Sequence, residues 1–479
     1  MSLKKQALSG VFWTFLQQFG IQGISFVVSI VLSRLLLPSE FGLIGMIAIF
    51  VGLGRTLIDS GLSQSLIRTE NPSNSDYSTV FYFNLLGSCF IYTIIFISSP
   101  FISDFYSQPI LTDLIKVYCL TFIINAFGTI QSTILTKQLK FKTQMMIALP
   151  SLLIGSIVGI TMAYLGFGVW SLVWSAIAQS FFNAIQLWFW SSWRPALLFD
   201  RGRFNYHFHY GYKLAFSGVL DTLFNNLYSI IIGKFFSPSQ VGFYIRADSL
   251  KQFPVSNIGN ILNKVTFPLF ASIQNDDVRL KNVYKKIMQM VIFIVAPLLI
   301  FLAVLAEPLF RFLFTEKWLP AVPYFQILCA NGILYPIHAY NLNILKVKGR
   351  SDLFLKLEVI KKVVLLGVIL LSFPFGIYGL LFGSVFFSIG AFFINTHYTA
   401  KYLNYTSFEQ IKHLAPTIVL SLFVGLMLFF IDIFVASFNI FDIFRLLLGS
   451  CLGVLIYLSL AYGFKMKSLN ELLLIIKRK

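Results

Sequence analysis

The sequence predicts an all-α polytopic membrane protein of about fourteen transmembrane helices, built as two six-helix lobes with two further helices after them. Three observations carry this expectation. Charged residues make up only 12% of the 479-residue chain and hydrophobic residues 57%, whereas a soluble domain carries about 25% charged residues. Long stretches have no charge at all, and about 20 apolar residues suffice to cross a bilayer. The 37 Lys+Arg, set against 19 Asp+Glu, fall in short clusters between those stretches. That distribution orients membrane helices, and it differs from the basic, aromatic-rich soluble face of a nucleic-acid binder. Soluble enzymes and disordered chains are excluded, and no nucleic-acid partner is expected.

Taken in order, the charge-poor windows place helices at 11–33, 41–66, 79–100, 113–136, 146–164, 168–192 and 212–234, then at 242–272, 287–306, 321–345, 353–373, 377–399, 414–432 and 444–464. The first follows Lys4-Lys5 and opens a 28-residue uncharged run from Gln6 to Ser33, too long for a signal-peptide core. Residues 143–193 are a 51-residue run without charge, which demands a turn, and Leu165-Gly166-Phe167-Gly168 supplies it. Residues 363–400 divide in the same way at Phe373-Pro374-Phe375-Gly376.

Fourteen spans place both termini on one side, and the basic residues support that count. Twenty-seven Lys/Arg fall on the terminal side, six on the other (Arg34, Lys116, Lys234, Arg311, Lys317, Arg445) and four within spans (Arg55, Arg246, Lys251, Lys264). The asymmetry predicts that both termini are cytoplasmic.

An internal repeat organises the chain. Residues 29–42 read SIVLSRLLLPSEFG and residues 229–242 read SIIIGKFFSPSQVG, an offset of 200 without a gap. Phe167-Gly168-Val169-Trp170 is echoed by Phe375-Gly376-Ile377-Tyr378 at an offset of 208. Members of each pair fall on the same predicted side, so the repeats are parallel, an arrangement found in transporters. The expected domains are an N-lobe over 1–192, a cytoplasmic linker over 193–211, a C-lobe over 212–400, and two helices with a basic cytoplasmic tail over 401–479.

Arg34-Leu-Leu-Leu-Pro38-Ser-Glu-Phe-Gly42, followed by Asp59-Ser-Gly61-Leu62 and Leu66-Ile67-Arg68, resembles the Wzx-type polysaccharide-exporter flippases of the MOP (MATE-like) superfamily. Ile232-Gly233-Lys234, Val241-Gly242-Phe243-Tyr244-Ile245-Arg246-Ala247 and Val265-Thr266-Phe267-Pro268 look like that family's second-lobe signature. The likeness is to the colanic- and teichuronic-acid exporter branch. It implies fourteen helices in two lobes forming a V around a central cavity. It also implies an undecaprenyl-diphosphate-linked oligosaccharide as substrate, moved from the inner to the outer leaflet by alternating access for surface polysaccharide or lipopolysaccharide biosynthesis. The bilayer, a polysaccharide polymerase and chain-length machinery are the partners implied. No cofactor is expected; an H+ or Na+ gradient or the membrane potential is the available energy source. One departure is Tyr228, which stands where relatives often carry Asp.

A diphosphate and a sugar chain lose their hydration on entering lipid, so polar and cationic residues within spans are the candidate site. Arg55 lies about fourteen residues into the second span, with Asp59 one turn on along the same face. The two form either a self-neutralising intrahelical pair or a cation for the diphosphate held by Asp59; both readings stand at this point. Arg246 and Lys251 in the eighth span are candidate substrate cations, with Asp248 as a rival structural partner of Arg246. Lys251 and Lys264, and Lys361 and Lys362 in the eleventh span, have the alternative of snorkelling. Asp221, with Asn225 one turn on, and Asp59 are the acids suited to ion coupling or charge compensation. Asn225 and Gln18, the latter beside Gln17 and Gln22 in the first span, are candidate substrate contacts.

Other chemistry has no support. Cys89, Cys119, Cys329 and Cys451 lie inside apolar runs without metal-type spacing, and His207 and His209 have no ligand partners nearby. No P-loop, nucleophile elbow or carboxylate pair suits an enzyme, and the longest outer connection, 307–320, is short for a polymerase or ligase. The nearest alternative, a MATE-like cation-coupled small-molecule exporter, carries an acid in its first span by family pattern, and none stands here.

Overall fold

A computed structural model describes residues 3–59, 61–438 and 440–477, with side chains described except at 3–11, 59, 256–265 and 475–477. Every regular element among the described residues is helical. Among the described residues, nine stretches have the length and apolarity of membrane spans, and one bent helix pair makes a tenth. The chain divides by its internal contacts into two compact units, Met1–Gly242 and Phe243–Lys479.

The first unit contains α1 (Leu3–Leu35), α2 (Pro38–Asp59), α3 (Leu62–Arg68), α4 (Asn74–Tyr106), α5 (Leu111–Tyr118) and α6 (Leu120–Lys137). It continues with α7 (Phe141–Tyr164), α8 (Trp170–Trp190), α9 (Arg201–Asn225), α10 (Leu227–Phe235) and the first residues of α11 (Pro238–Ser272). Turn chemistry sets the boundaries. Gly61 takes φ 66° between α2 and α3, a left-handed conformation that Gly adopts without strain. Ser73 and Asp76 form a reciprocal capping box at the start of α4. The expected turn at 165–168 separates α7 from α8, with Gly166 and Gly168 at positive φ.

Three predicted spans are interrupted. The second breaks at Gly61 and the fourth at Cys119. The seventh bends by 46° between α9 and α10. In addition, α9 starts at Arg201, so the later part of the expected 193–211 linker is helical and continuous with the span after it.

Small residues bring helices into backbone contact, as membrane interfaces require. Ser151, Gly155 and Gly159 form a ridge on α7, and the Ser175 hydroxyl of α8 donates to the Gly155 carbonyl at 2.8 Å. A Cβ on Gly155 would lie 2.7 Å from Gln179 Cβ. The repeat glycines meet within this unit: a Cβ on Gly42 would overlap the Pro238 carbonyl, and one on Gly242 would overlap that of Pro38. The two copies of the repeated segment therefore cross reciprocally, and only glycine fits either crossing point.

A buried polar link ties α3, α4 and α9. Ser65 Oγ lies 2.8 Å from His207 Nδ1, and His207 Nε2 lies 3.1 Å from Asp76 Oδ1. All three residues are fully buried. His207, read as a linker residue, is thus a structural member of the bundle.

The second unit holds the rest of α11, then α12 (Asp277–Val304), α13 (Ala306–Phe314), α14 (Val322–Val347), α15 (Ser351–Ser372) and α16 (Gly376–Leu403). It ends with α17 (Ser407–Ala436), α18 (Asp442–Gly463) and α19 (Lys467–Lys477). A 3-10 turn at Phe373–Phe375 and Gly376 at φ 70° occupy the expected break between α15 and α16. The 307–320 connection is itself structured. It contains α13, whose Phe310 and Phe314 are buried, and most of a 3-10 turn at Glu316–Ala321. Part of the polar core of this unit is a network centred on Asn341. Tyr284 donates to Asn341 Oδ1 at 3.0 Å, Thr399 donates to the same atom at 2.7 Å, and Asn341 donates to Gln410 at 3.3 Å.

Candidate functional site

In the first unit, α2, α5, α6 and α8 surround a cavity of about 630 Å³. Arg55, Tyr118, Asn125, Thr129, Gln179, Ser180 and Asn183 supply its polar lining, and Ile58, Phe122, Ala126 and Ala176 its apolar lining. Arg55 also lines an adjoining cavity of about 370 Å³ with Thr56, Gly61, Gln64, Leu214 and Ala215.

Local sequence explains how Arg55 comes to face this space. Its neighbour Gly54 has no side chain, and the Phe122 ring occupies the volume a Cβ would fill. On the following residue the Thr56 hydroxyl donates to the Gly52 carbonyl at 2.9 Å and lies 3.3 Å from Thr222 Oγ1 of α9. Gly218 of α9 packs against the Thr56 methyl group, and Gly52 against that of Thr222. The α2 backbone is therefore fixed on both sides of Arg55, against α6 and against α9. Among the described residues, Arg55 has no ion-pair partner; the Asp59 side chain lies outside the described residues.

The wall amides follow from helical spacing. Gln179, Ser180 and Asn183 recur at i, i+1 and i+4 on α8, and Asn125 and Thr129 at i, i+4 on α6, so each set shares a face. The Thr129 hydroxyl is turned onto the Asn125 carbonyl at 3.0 Å. Asn125, Gln179 and Asn183 carry no charge, so intramembrane charge does not mark them in the sequence. The periodicity of uncharged polar residues within charge-free helices was the signal that marks them.

The other predicted residues have varied surroundings. Gln18 is half-buried on α1. Asp221 and Asn225 are exposed in the last turns of α9, and Asp221 precedes Thr222, the residue that reaches Thr56. In the second unit Arg246 is 7% exposed. Its guanidinium lies over the rings of Phe314 at 5.1 Å and Trp318 at 5.2 Å, a cation–π arrangement. Asp248, weighed above as a partner of Arg246, accepts a hydrogen bond from Lys251 Nζ at 2.6 Å. The Lys251 stem packs on Gly332, so this lysine is held within its unit. Lys361 is likewise paired, to Glu358 at 2.6 Å. The Lys264 side chain lies outside the described residues.

The second unit has a larger cavity, about 860 Å³, bordered by α12, α13, α14, α17 and α18. Glu307, Arg311, Gln326, Asp432, Asp442 and Arg445 line it together with Phe429, Ile433 and Phe441. Its guanidinium groups are bonded to its carboxylates. Arg445 donates to both oxygens of Asp432, at 2.8 and 3.1 Å, and to Asp442 at 3.3 Å. Arg311 donates to Glu307 at 2.7 Å and lies 3.5 Å from Asp442. Among the described residues no group of His, Cys, Asp and Glu side chains is arranged to hold a metal ion.

Comparison with known proteins agrees with this architecture. The teichuronic acid biosynthesis protein TuaB of Bacillus subtilis (strain 168) is 27% identical over 360 residues, covering 74% of this chain and 73% of the relative. The lipopolysaccharide biosynthesis protein WzxC of Escherichia coli (strain K12) is 27% identical over 367 residues, covering 75% and 74%. Among solved structures, the lipid II flippase MurJ in an inward closed conformation matches with a TM-score of 0.75 at 13% identity, over 95% of this chain and 98% of MurJ. An inward-facing MATE-family multidrug resistance transporter of the MOP superfamily matches with a TM-score of 0.59 at 16% identity, over 80% and 95%. The all-α fold is therefore that of MurJ and the MATE transporters. Residues 31–323 match the family described as polysaccharide biosynthesis protein, and the chain belongs to that family.

Proposed function

We propose that the chain is a flippase, a transporter without catalytic chemistry, that moves an undecaprenyl-diphosphate-linked oligosaccharide from the inner to the outer leaflet during surface polysaccharide biosynthesis. The observation that carries this reading is the polar cavity around Arg55, inside a helical unit of a chain from a polysaccharide biosynthesis family. An anionic head group crosses a bilayer only if protein replaces its hydration. Arg is suited to that task because its planar fork gives two parallel hydrogen bonds to phosphate oxygens. The hydroxyl and amide wall beside it provides a wet path for sugar.

On this reading both termini lie in the cytoplasm, and the parallel repeats over 1–192 and 212–400 rock against each other in alternating access. A diphosphate carries about two negative charges. With the cytoplasm negative, each charge moving outward gains about 2.3 kcal/mol per 100 mV. Cavity cations then need compensation on the empty return stroke. Asp221, one residue from the α9–α2 contact beside Arg55, is the acid assigned to it. Asp221→Asn is expected to slow turnover and weaken its dependence on an imposed gradient in proteoliposomes; an unchanged rate and gradient dependence would make Asp221 a structural acid. Arg246 and Lys251, held by aromatic rings and by Asp248, shape the second unit, and Arg55 is the spanning cation that carries the anion.

The test of the function is leaflet-resolved analysis of lipid-linked oligosaccharides in cells depleted of the protein. The expected result is accumulation of one such lipid on the cytoplasmic face, reversed by the wild-type chain. Undiminished delivery of every lipid-linked oligosaccharide to the outer face would contradict it.

A further inference from the structure

Carboxamides in the first unit differ in their partners. Several are bonded within the protein, while both polar atoms of the buried Asn84 side chain have no partner among the described residues. Gln186 donates to Ser151 Oγ at 2.8 Å, and Gln144 donates to Thr136 Oγ1 at 2.7 Å and to the Ser132 carbonyl at 3.1 Å. Among the described residues, the side-chain amides of Asn125, Gln179 and Asn183 make no hydrogen bond, and all three line the Arg55 cavity. Gln186 and Asn183 are less than one turn apart on α8, yet one is bonded and the other faces open space.

We infer that Asn125, Gln179 and Asn183 form a subsite for an uncharged sugar residue next to the diphosphate, and so help to select which lipid-linked glycan is carried; this rests on the flippase reading above. A carboxamide offers two donors and an acceptor with two lone pairs, which matches the mixed donors and acceptors of sugar hydroxyl and acetamido groups. A carboxylate would only accept, and a lysine would only donate. Among the described residues, the cavity lining contains three carboxamides, two aliphatic hydroxyls and one phenol, with no carboxylate and with Arg55 as its one cation. Its volume of about 630 Å³ falls in the usual range for small-molecule sites, about 300–1,000 Å³.

The positions are also rigidly supported, as a selective site requires. Gln179 Cβ abuts Gly155, and Gly128 of α6 packs against Leu187 and Ala184 of α8, one residue from Asn183. A uronic acid at this position would compete with the diphosphate for Arg55 and would meet amide oxygens with no further cation among the described residues to offset them. An uncharged sugar avoids both conflicts.

The experiment uses the full-length protein in proteoliposomes and three probes: undecaprenyl diphosphate, and the same lipid bearing N-acetylglucosamine or glucuronic acid. Half-saturating concentrations and maximal rates are measured for the wild type, Asn125→Ala, Gln179→Ala, Asn183→Ala and Asn183→Asp. Thermal unfolding confirms that each variant folds, and the near-isosteric Asn183→Asp gives a test of hydrogen-bond donation should an alanine variant fail to fold. The wild type is expected to favour the N-acetylglucosamine lipid over the other two. Each substitution is expected to reduce, by at least about fivefold, the preference for the N-acetylglucosamine lipid over the bare diphosphate lipid. Equal losses for bare and sugar-bearing lipids, or an unchanged preference, would overturn the subsite while leaving the flippase reading intact. A wild-type protein that flips none of the three probes, nor the oligosaccharide lipid extracted from depleted cells, would overturn the flippase reading itself and the subsite with it.

Discussion

The two units each contain a polar cavity with arginine in its wall, and the two differ in what that arginine touches. In the second unit the cavity is larger, about 860 Å³, yet Arg445 is gripped by both oxygens of Asp432 and by Asp442. In the first unit the cavity is about 630 Å³, and among the described residues Arg55 faces amides and hydroxyls without an ion pair. Volume and charge alone would favour the second cavity. A guanidinium whose hydrogen bonds already go to neighbouring carboxylates fastens helices together, here α17 to α18. One that faces a hydrated cavity retains the capacity to bind an anion.

The largest effect expected from this contrast is on stability. Arg445→Ala leaves Asp432, whose side chain is 12% exposed, without its bidentate partner. Removing one member of a buried pair costs about 3–5 kcal/mol, so the amount of folded protein and its thermal midpoint in detergent should both fall. The double substitution Arg445→Met with Asp432→Leu should recover most of that loss, because apolar replacements of similar volume are tolerated at such sites. Normal folding of Arg445→Ala together with loss of transport would break the contrast and make the second cavity a substrate site.

Next in size is Gly54→Val. The new side chain would collide with the Phe122 ring, and overpacking of this kind costs about 1–3 kcal/mol. Thermal unfolding should show that loss, and transport should fall further than stability because the α2 backbone that aims Arg55 is displaced. Gly87→Val is the matched control, since a Cβ there meets nothing within 4 Å. Equal effects at both sites would remove the positioning role of Gly54.

A comparable but smaller effect is expected at His207, the counterpart within the first unit of the bonded arginines in the second. His207→Ala removes one buried partner from each of Ser65 and Asp76, while Asp76 keeps the Ser73 hydroxyl at 2.6 Å and the Ser73 backbone amide at 2.7 Å. Leaving a buried polar group short of a partner costs about 1–3 kcal/mol, with the retained capping box favouring the lower end. Thermal unfolding measures this, and an unchanged midpoint would show that the α3–α4–α9 link carries no stability.

Most of the helical framework is legible in the chain because the bilayer imposes it. A charge-free run must span or turn, and Gly166, Gly168 and Gly376 turn where expected. The breaks at Gly61 and between α9 and α10 lie inside apolar windows, where hydropathy gives no sign of a bend. Arg55 stands out as a charge in a span. The Asp432–Arg445 pair does not, since thirteen residues and a helical turnaround separate its members and only packing brings them together. Arg246 is a similar case: the sequence shows a cation in a span, and only the tertiary structure shows the rings of Phe314 and Trp318 beneath it. Asn125, Gln179 and Asn183 are uncharged, so a search for intramembrane charge overlooks them, although their helical spacing is present in the sequence.

The smallest expected change in stability, and the most direct test of the central claim, is Arg55→Ala. Flipping of lipid-linked oligosaccharide should be measured in proteoliposomes alongside thermal unfolding of the same preparation. The midpoint should stay close to wild type, within about 0.5 kcal/mol as for sites without a buried partner. The flipping rate should fall at least tenfold, a loss of about 1.4 kcal/mol or more, and Arg55→Lys should restore only part of it because a point charge lacks the fork. Wild-type flipping by Arg55→Ala would contradict the account. So would a marked fall in stability that Asp59→Ala reverses, since that result would make Arg55 half of an intrahelical pair.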